Sequence, residues 1–273
     1  MGLDLIGYKP WSGKRTEHNR RFLVIADSIV KQKLSSKWLI GLLILGTFLV
    51  HIIPIILNSM RPHDVLESSV MVDYMQSGLF YIFDIILVSL VCSDLIADDI
   101  RSNSIVLYLS RALRPERYLI GKWLGAMSII CLFTLVPPLV LSIAITATQS
   151  GPDYVASAAV IGQTFLAGLW TALFLVPIGL MMSSLTNKKT YAGVGTFMFF
   201  FVLSIVASIL SQMSNDWTLL SPENVLNDTY QVLFGLTLTG GVNLVLLGVM
   251  VFILTVPPIA LVYYRIMRKG VGK

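Results

Sequence analysis

Gly78-Leu-Phe-Tyr-Ile-Phe-Asp-Ile-Ile-Leu-Val-Ser-Leu-Val-Cys-Ser-Asp-Leu-Ile-Ala97 runs twenty residues with formal charge only at Asp84 and Asp94. A helix rises about 1.5 Å per residue, so about 20 residues cross a hydrocarbon layer of about 30 Å. No water is available there to satisfy an open N–H or C=O, so such a stretch must be helical. This segment therefore reads as a membrane span, and it does not stand alone.

Five further stretches have the same character, giving spans at about 38–58, 78–97, 123–147, 156–185, 190–211 and 241–264. The chain of 273 residues is 55% hydrophobic and only 13% charged, with a mean hydropathy of +0.78. Soluble domains carry about 25% charged residues. The expected fold is an all-α polytopic membrane protein, divided into an N-terminal segment 1–37, a six-span domain 38–264 and a basic tail 265–273.

The basic residues set the expected orientation. Lys9, Lys14, Arg15, Arg20, Arg21, Lys31, Lys33 and Lys37 precede the first span, and Arg101, Arg111, Arg114, Arg117 and Lys122 separate the second from the third. Lys188 and Lys189 follow the fourth, and Arg265, Arg268, Lys269 and Lys273 follow the last. Arg61 alone falls on the alternate loops. By the positive-inside rule both termini are cytoplasmic, and the basic charge serves lipid headgroups rather than nucleic acid. The first thirty or so residues lack an early apolar core, so no cleavable signal peptide is expected.

Between the spans, residues 17–36 suit an interfacial helix. Phe22, Ile25, Ala26, Ile29 and Lys33 follow helical spacing, and Val30 and Leu34 widen the stripe. In the 93–122 loop, Ser102-Asn103-Ser104 offers a place to break and restart a helix, and Pro115 suits the first turn of the next one. In the 213–240 loop, Ser221-Pro222-Glu223 is a helix start, with Val225, Leu226, Val232 and Leu233 free to rest on the membrane or cap a pathway. Mid-span Trp170 reads as helix packing.

Few enzyme chemistries fit. The chain has no G-x-x-x-x-G-K-[ST] and so no P-loop for ATP; His18, His51 and His63 are dispersed, without H-E-x-x-H. Cys92 and Cys131 sit in apolar surroundings at different depths, which disfavours a disulfide or thiolate metal site. Asp94 and Asp98, one helical turn apart, leave open a metal-dependent lipid-modifying enzyme, although the second paired-aspartate element of lipid phosphotransferases is missing. Asp84 is the one formal charge well inside a span. Ionised, it costs about 2.5–3.5 kcal/mol on insertion scales, so it should face protein or water, as a cation or proton site or as a structural carboxyl.

The stretch Asp94-Leu-Ile-Ala-Asp-Asp-Ile-Arg-Ser-Asn-Ser-Ile-Val-Leu-Tyr-Leu-Ser-Arg-Ala-Leu-Arg-Pro-Glu-Arg-Tyr-Leu-Ile-Gly-Lys122 resembles permeases of the type-2 ATP-binding-cassette exporter family. Acidic residues after the second span, a short helix, a Leu-Ser-Arg element and a Gly-Lys leading into the third span carry the resemblance. Relatives often have Gly-Thr where Asn103-Ser104 stand. The resemblance implies a plasma-membrane transport subunit, itself not an enzyme, whose 98–113 helix couples to a separate ATPase that binds ATP and Mg. It further implies that the interfacial helix is a connecting elbow, that the last outer loop forms a gate, and that two permease chains pair. The coupling contacts expected are Asp98, Asp99, Arg101, Ser104, Tyr108, Arg111 and Arg114. The spans show no charge cluster that would name a substrate.

Overall fold

A computed structural model describes residues 21–53, 56, 68–110, 113–147, 152–238 and 242–270. Arg111 and the first part of the expected interfacial helix lie outside the described residues. All regular structure among those described is helical.

The apolar blocks become helices, five to six of which suit a membrane crossing. Gly78–Arg101, Pro115–Ala144, Ala158–Leu185, Lys189–Leu210 and Leu244–Lys269 are each long and apolar enough to cross a membrane. A sixth candidate is the bent pair Arg21–Leu34 and Lys37–Ile52, whose arms meet at 80°. We call the first arm the elbow helix and the second span one; the five long helices are spans two to six. Toward its far end span one passes from an α-helix, Lys37–Gly46, into a π-helix, Thr47–Ile52.

Span four is the centre of the bundle. It packs against spans two, three, five and six, and its buried residues Ala167, Ala172, Phe174, Leu175 and Ile178 join Val88, Val91, Ile129 and Ile130 in one core. Membrane helices gain no hydrophobic drive from each other, so close backbone approach must supply the packing. Gly168 shows this: a Cβ placed there would lie 2.6 Å from the Thr134 carbonyl oxygen of span three. The same approach lets the Thr134 hydroxyl donate to the Gly168 carbonyl at 3.0 Å. Span five is the least enclosed, with 17% of its apolar window buried against 61% for spans two and four.

Span three is interrupted at Leu135, just before Pro137 and Pro138, which cannot donate to the preceding turn. Pro257 and Pro258, by contrast, sit inside the continuous helix Leu244–Gly270. Span two breaks between Cys92 and Ala97, where Ser183 of span four meets the freed backbone. Its hydroxyl accepts from the Ile96 and Ala97 amides, both at 3.1 Å, and donates to the Ser93 carbonyl at 3.1 Å. Polar groups of a broken membrane helix need such partners.

At the end opposite the basic clusters, a 3-10 turn, Asn215–Leu220, leads to a capping helix, Pro222–Leu233. Val225, Leu226 and Tyr230 are buried, whereas Val232 is exposed. The capping helix sinks into the bundle rather than resting flat on the membrane.

Candidate functional site

The basic end carries a platform built from the elbow helix, the loop after span two and the start of span three. The elbow helix lies along span three at close range: a Cβ on Gly125 would stand 3.0 Å from Ile29, and one on Gly121 2.8 Å from the Phe22 carbonyl oxygen. Small residues in that stripe let the elbow seat as a rigid element.

The loop after span two is two short helices, divided where Ser102-Asn103-Ser104 offered a break, and not the single 98–113 helix that the resemblance implied. Ala97–Arg101 prolongs span two, and Ser104–Ser110 is a separate loop helix. Asn103 divides them with φ 55°, a left-handed conformation that a right-handed helix cannot pass through and that Asn tolerates better than most residues. The Ser102 hydroxyl donates to the Asp98 carbonyl at 2.7 Å, and the Ser102 and Ser104 hydroxyls bond at 2.6 Å. These contacts tie the corner.

Two lysine–aspartate pairs fasten the platform. Lys33 of the elbow reaches Asp94 at 2.6 Å and also donates to the Leu90 carbonyl at 3.2 Å. Lys122 of span three reaches Asp99 at 2.7 Å, while the Tyr118 hydroxyl donates to the same Asp99 carboxylate at 2.5 Å. Both lysines are buried, each at 8% exposure. Asp99, expected at the surface, therefore faces inward.

Arg101 remains outward, its side chain 65% exposed and 3.5 Å from Asp98. Arg114 is also exposed, at the N-cap of the helix opened by Pro115. Beside them the loop helix presents Val106, Leu107 and Tyr108, and the elbow presents Leu23 and Val24. A groove of about 240 Å³ runs between the two elements, lined by Arg21, Val24, Ile25, Leu107, Tyr108 and Leu113. Tyr108 also packs on Tyr118, with ring centroids 5.5 Å apart. Burial, and then the nearby Asp99 carboxylate, push its phenol up from the ordinary value.

Asp94 is engaged by an ammonium and so does not form a free pair with Asp98. Among the described residues no group of three or more His, Cys, Asp or Glu side chains is placed to hold a metal.

A second polar region lies inside the bundle. Asp84 is fully buried, and among the described residues neither carboxyl oxygen has a hydrogen-bond partner. It interacts electrostatically with Tyr81 of its own helix and Tyr230 of the capping helix. The Tyr230 and Thr171 hydroxyls bond at 2.6 Å, and the Trp170 indole donates to Thr229 at 3.0 Å. The Ser204 and Ser221 hydroxyls bond at 2.9 Å, and Gln76 donates to the Asn227 carbonyl at 2.9 Å. Trp170, read from sequence as helix packing, is a polar anchor for the capping helix. Outside the spans, burial raises the Glu223 carboxyl and lifts that of Asp228 to about 6.

The residues missed by sequence reasoning are Lys33, Tyr118, Lys122 and Ser183. Lys33 left a signal, being a lysine on the apolar stripe of the elbow.

Comparison with family models matches residues 23–271 to the ABC-2 family transporter protein. Comparison with curated proteins gives no match.

Proposed function

The chain belongs to the ABC-2 transporter family, and from that premise we propose that it is the permease subunit of an exporter driven by a separate ATPase that docks on the elbow and loop-helix platform. The membrane-permease role follows from the family itself. The observation that carries the docking reading is the exposed apolar row Val106, Leu107 and Tyr108, flanked by Arg101 and fixed to the bundle by the two buried lysine–aspartate pairs. A row of this kind in a solvated connector gains nothing from water, whereas a helix-in-groove contact with a soluble partner would bury it.

In this reading the basic end is cytoplasmic, the protein lies in the plasma membrane, and ATP with Mg²⁺ binds on the partner. Span five offers exposed Val194, Met198, Phe201 and Val202 to lipid or to a second permease chain. Closure of the ATPases presses the loop helix. Asn103 and the Asp99–Lys122 pair then pass the displacement to spans two and three, while the capping helix serves as the outer gate.

Gentle extraction of the tagged chain tests the proposal. A stoichiometric P-loop protein that co-purifies, and cross-links to cysteine placed at Leu107, is the expected result. A chain that emerges alone under several mild detergents and shows no cross-link would sink the docking assignment.

A further inference from the structure

Asp84 is a carboxyl with nowhere to put a negative charge. It is completely enclosed, and among the described residues neither oxygen has a hydrogen-bond partner. Among the described residues, the elements packed on span two offer it no balancing cation. Span four from 158 to 185 and span five from 192 to 210 contain no ionisable side chain, and Cys131 is the sole titratable group between 123 and 147 in span three. Span one brings His51, which packs on Phe80 one turn from Asp84 and shares a hydrogen bond with the Tyr74 hydroxyl. Lys33 and Lys122 are already engaged by Asp94 and Asp99, and Asp94 is ten residues, roughly 15 Å of helix, away from Asp84. Among the described residues, the phenols of Tyr81 and Tyr230 also interact electrostatically with it, and Glu223 acts on Tyr81.

An ionised carboxylate without a cation or hydrogen-bond donor is untenable in such a setting, whereas the neutral acid is tolerated. Over it sits the capping helix, whose Tyr230 is fully buried and held to Thr171. Its anchors at Thr229, Tyr230 and Ser221 are hydroxyl contacts, which water can replace when the helix moves.

We propose that Asp84 is a proton-binding site in the membrane interior, filled while the capping helix is seated and emptied when that helix lifts and admits water. On opening, the carboxyl O–H bond breaks, the proton passes to an incoming water, and the carboxylate is hydrated in place. On closure one proton must be taken up before the helix can reseat. The seated state is therefore favoured by acid and the lifted state by alkali. Only the connection to a transport cycle rests on the permease reading; the proton site stands on the chain alone.

Infrared spectroscopy on the purified full chain, with Asp228→Asn as background to remove a second carboxyl candidate, tests the site directly. A protonated-carboxyl stretch should persist at about pH 8, far above the ordinary Asp value of about 3.9, and vanish in Asp84→Asn. Asn mimics the neutral acid, so that variant should purify like its parent. Hydrogen exchange of residues 222–233, corrected for intrinsic rates, should speed up several-fold toward alkaline pH, and Asp84→Asn should abolish that response. If Asp84→Asn fails to purify, the parent alone decides. Its stretch should shift in heavy water only as fast as residues 222–233 exchange; an immediate shift would overturn the proposal. So would absence of the stretch at about pH 8, its survival in Asp84→Asn, or an unchanged exchange response in that variant. Failure of an ATPase to co-purify bears on the permease reading and leaves these readouts untouched.

Discussion

Lys33 on the elbow helix meets Asp94 at the break of span two, 61 residues away along the chain, with 2.6 Å between nitrogen and oxygen. The pair crosses from an element lying outside the bundle to one that passes through it. Taking two charges out of water is costly, so its value is positional more than energetic: it selects one seat for the elbow.

Removing either partner should therefore hurt more than removing both. Lys33→Met leaves the Asp94 carboxylate partly buried and unpaired, and should destabilise the chain by about 1–3 kcal/mol. Adding Asp94→Leu should recover much of that loss. Thermal unfolding of the single and double variants in detergent measures the coupling; simple additivity would show that the pair does not act as a unit.

Asp99 and Arg101 are two residues apart and should behave differently. Asp99→Asn weakens the bonds to Lys122 and Tyr118 and should loosen the loop, seen as faster hydrogen exchange over residues 97–110. Arg101→Glu reverses an exposed charge and loses only the surface pair with Asp98, and should leave exchange and unfolding unaltered within about 0.5 kcal/mol. Its effect should appear in ATPase stimulation by the reconstituted complex. Equal effects of both variants on both readouts would contradict the inward and outward assignment.

Leu107→Arg places a charge in the middle of the exposed apolar row. Because Leu107 is 63% exposed, folding should be indifferent to the change. Partner binding should weaken at least tenfold, a cost of about 1.4 kcal/mol or more, measurable by titrating the purified ATPase.

The Asp228 carboxyl is held at about 6, against an ordinary value of 3.8, by burial. The folded chain thus binds more protons than the unfolded chain between those values. Stability from this group should fall as pH rises from about 4 to about 6 and level off above, by about 1–2 kcal/mol after solvent screening. Asp228→Asn should remove that slope and raise the unfolding midpoint at neutral pH. A midpoint still falling across the same interval in the variant would assign the slope elsewhere.

The spans were legible because lipid imposes a length and a composition on each segment independently. Asn103 was legible as a helix break because its own backbone preference produces it. The contacts of Asp94 and Asp99 were not, since periodicity along one helix says nothing about which distant lysine comes to meet it. The ionic residues read as an outward docking surface were divided by folding: Arg101 stayed out and Asp99 turned in. The depth of the capping helix was hidden for a related reason. Val225 and Leu226 look alike whether they meet lipid or protein, and Trp170 marked the difference only once Thr229 was placed beside it.

The Ser183 hydroxyl serves three backbone groups at the break in span two. A break held in this way is not a loose joint. It works as a pin: the start of the segment Ala97–Arg101 is tied to the last turn of span four. On the docking proposal, motion delivered to the loop would reach span four, the most central helix, through this contact. Ser183→Ala would leave the shaft in place and remove the pin.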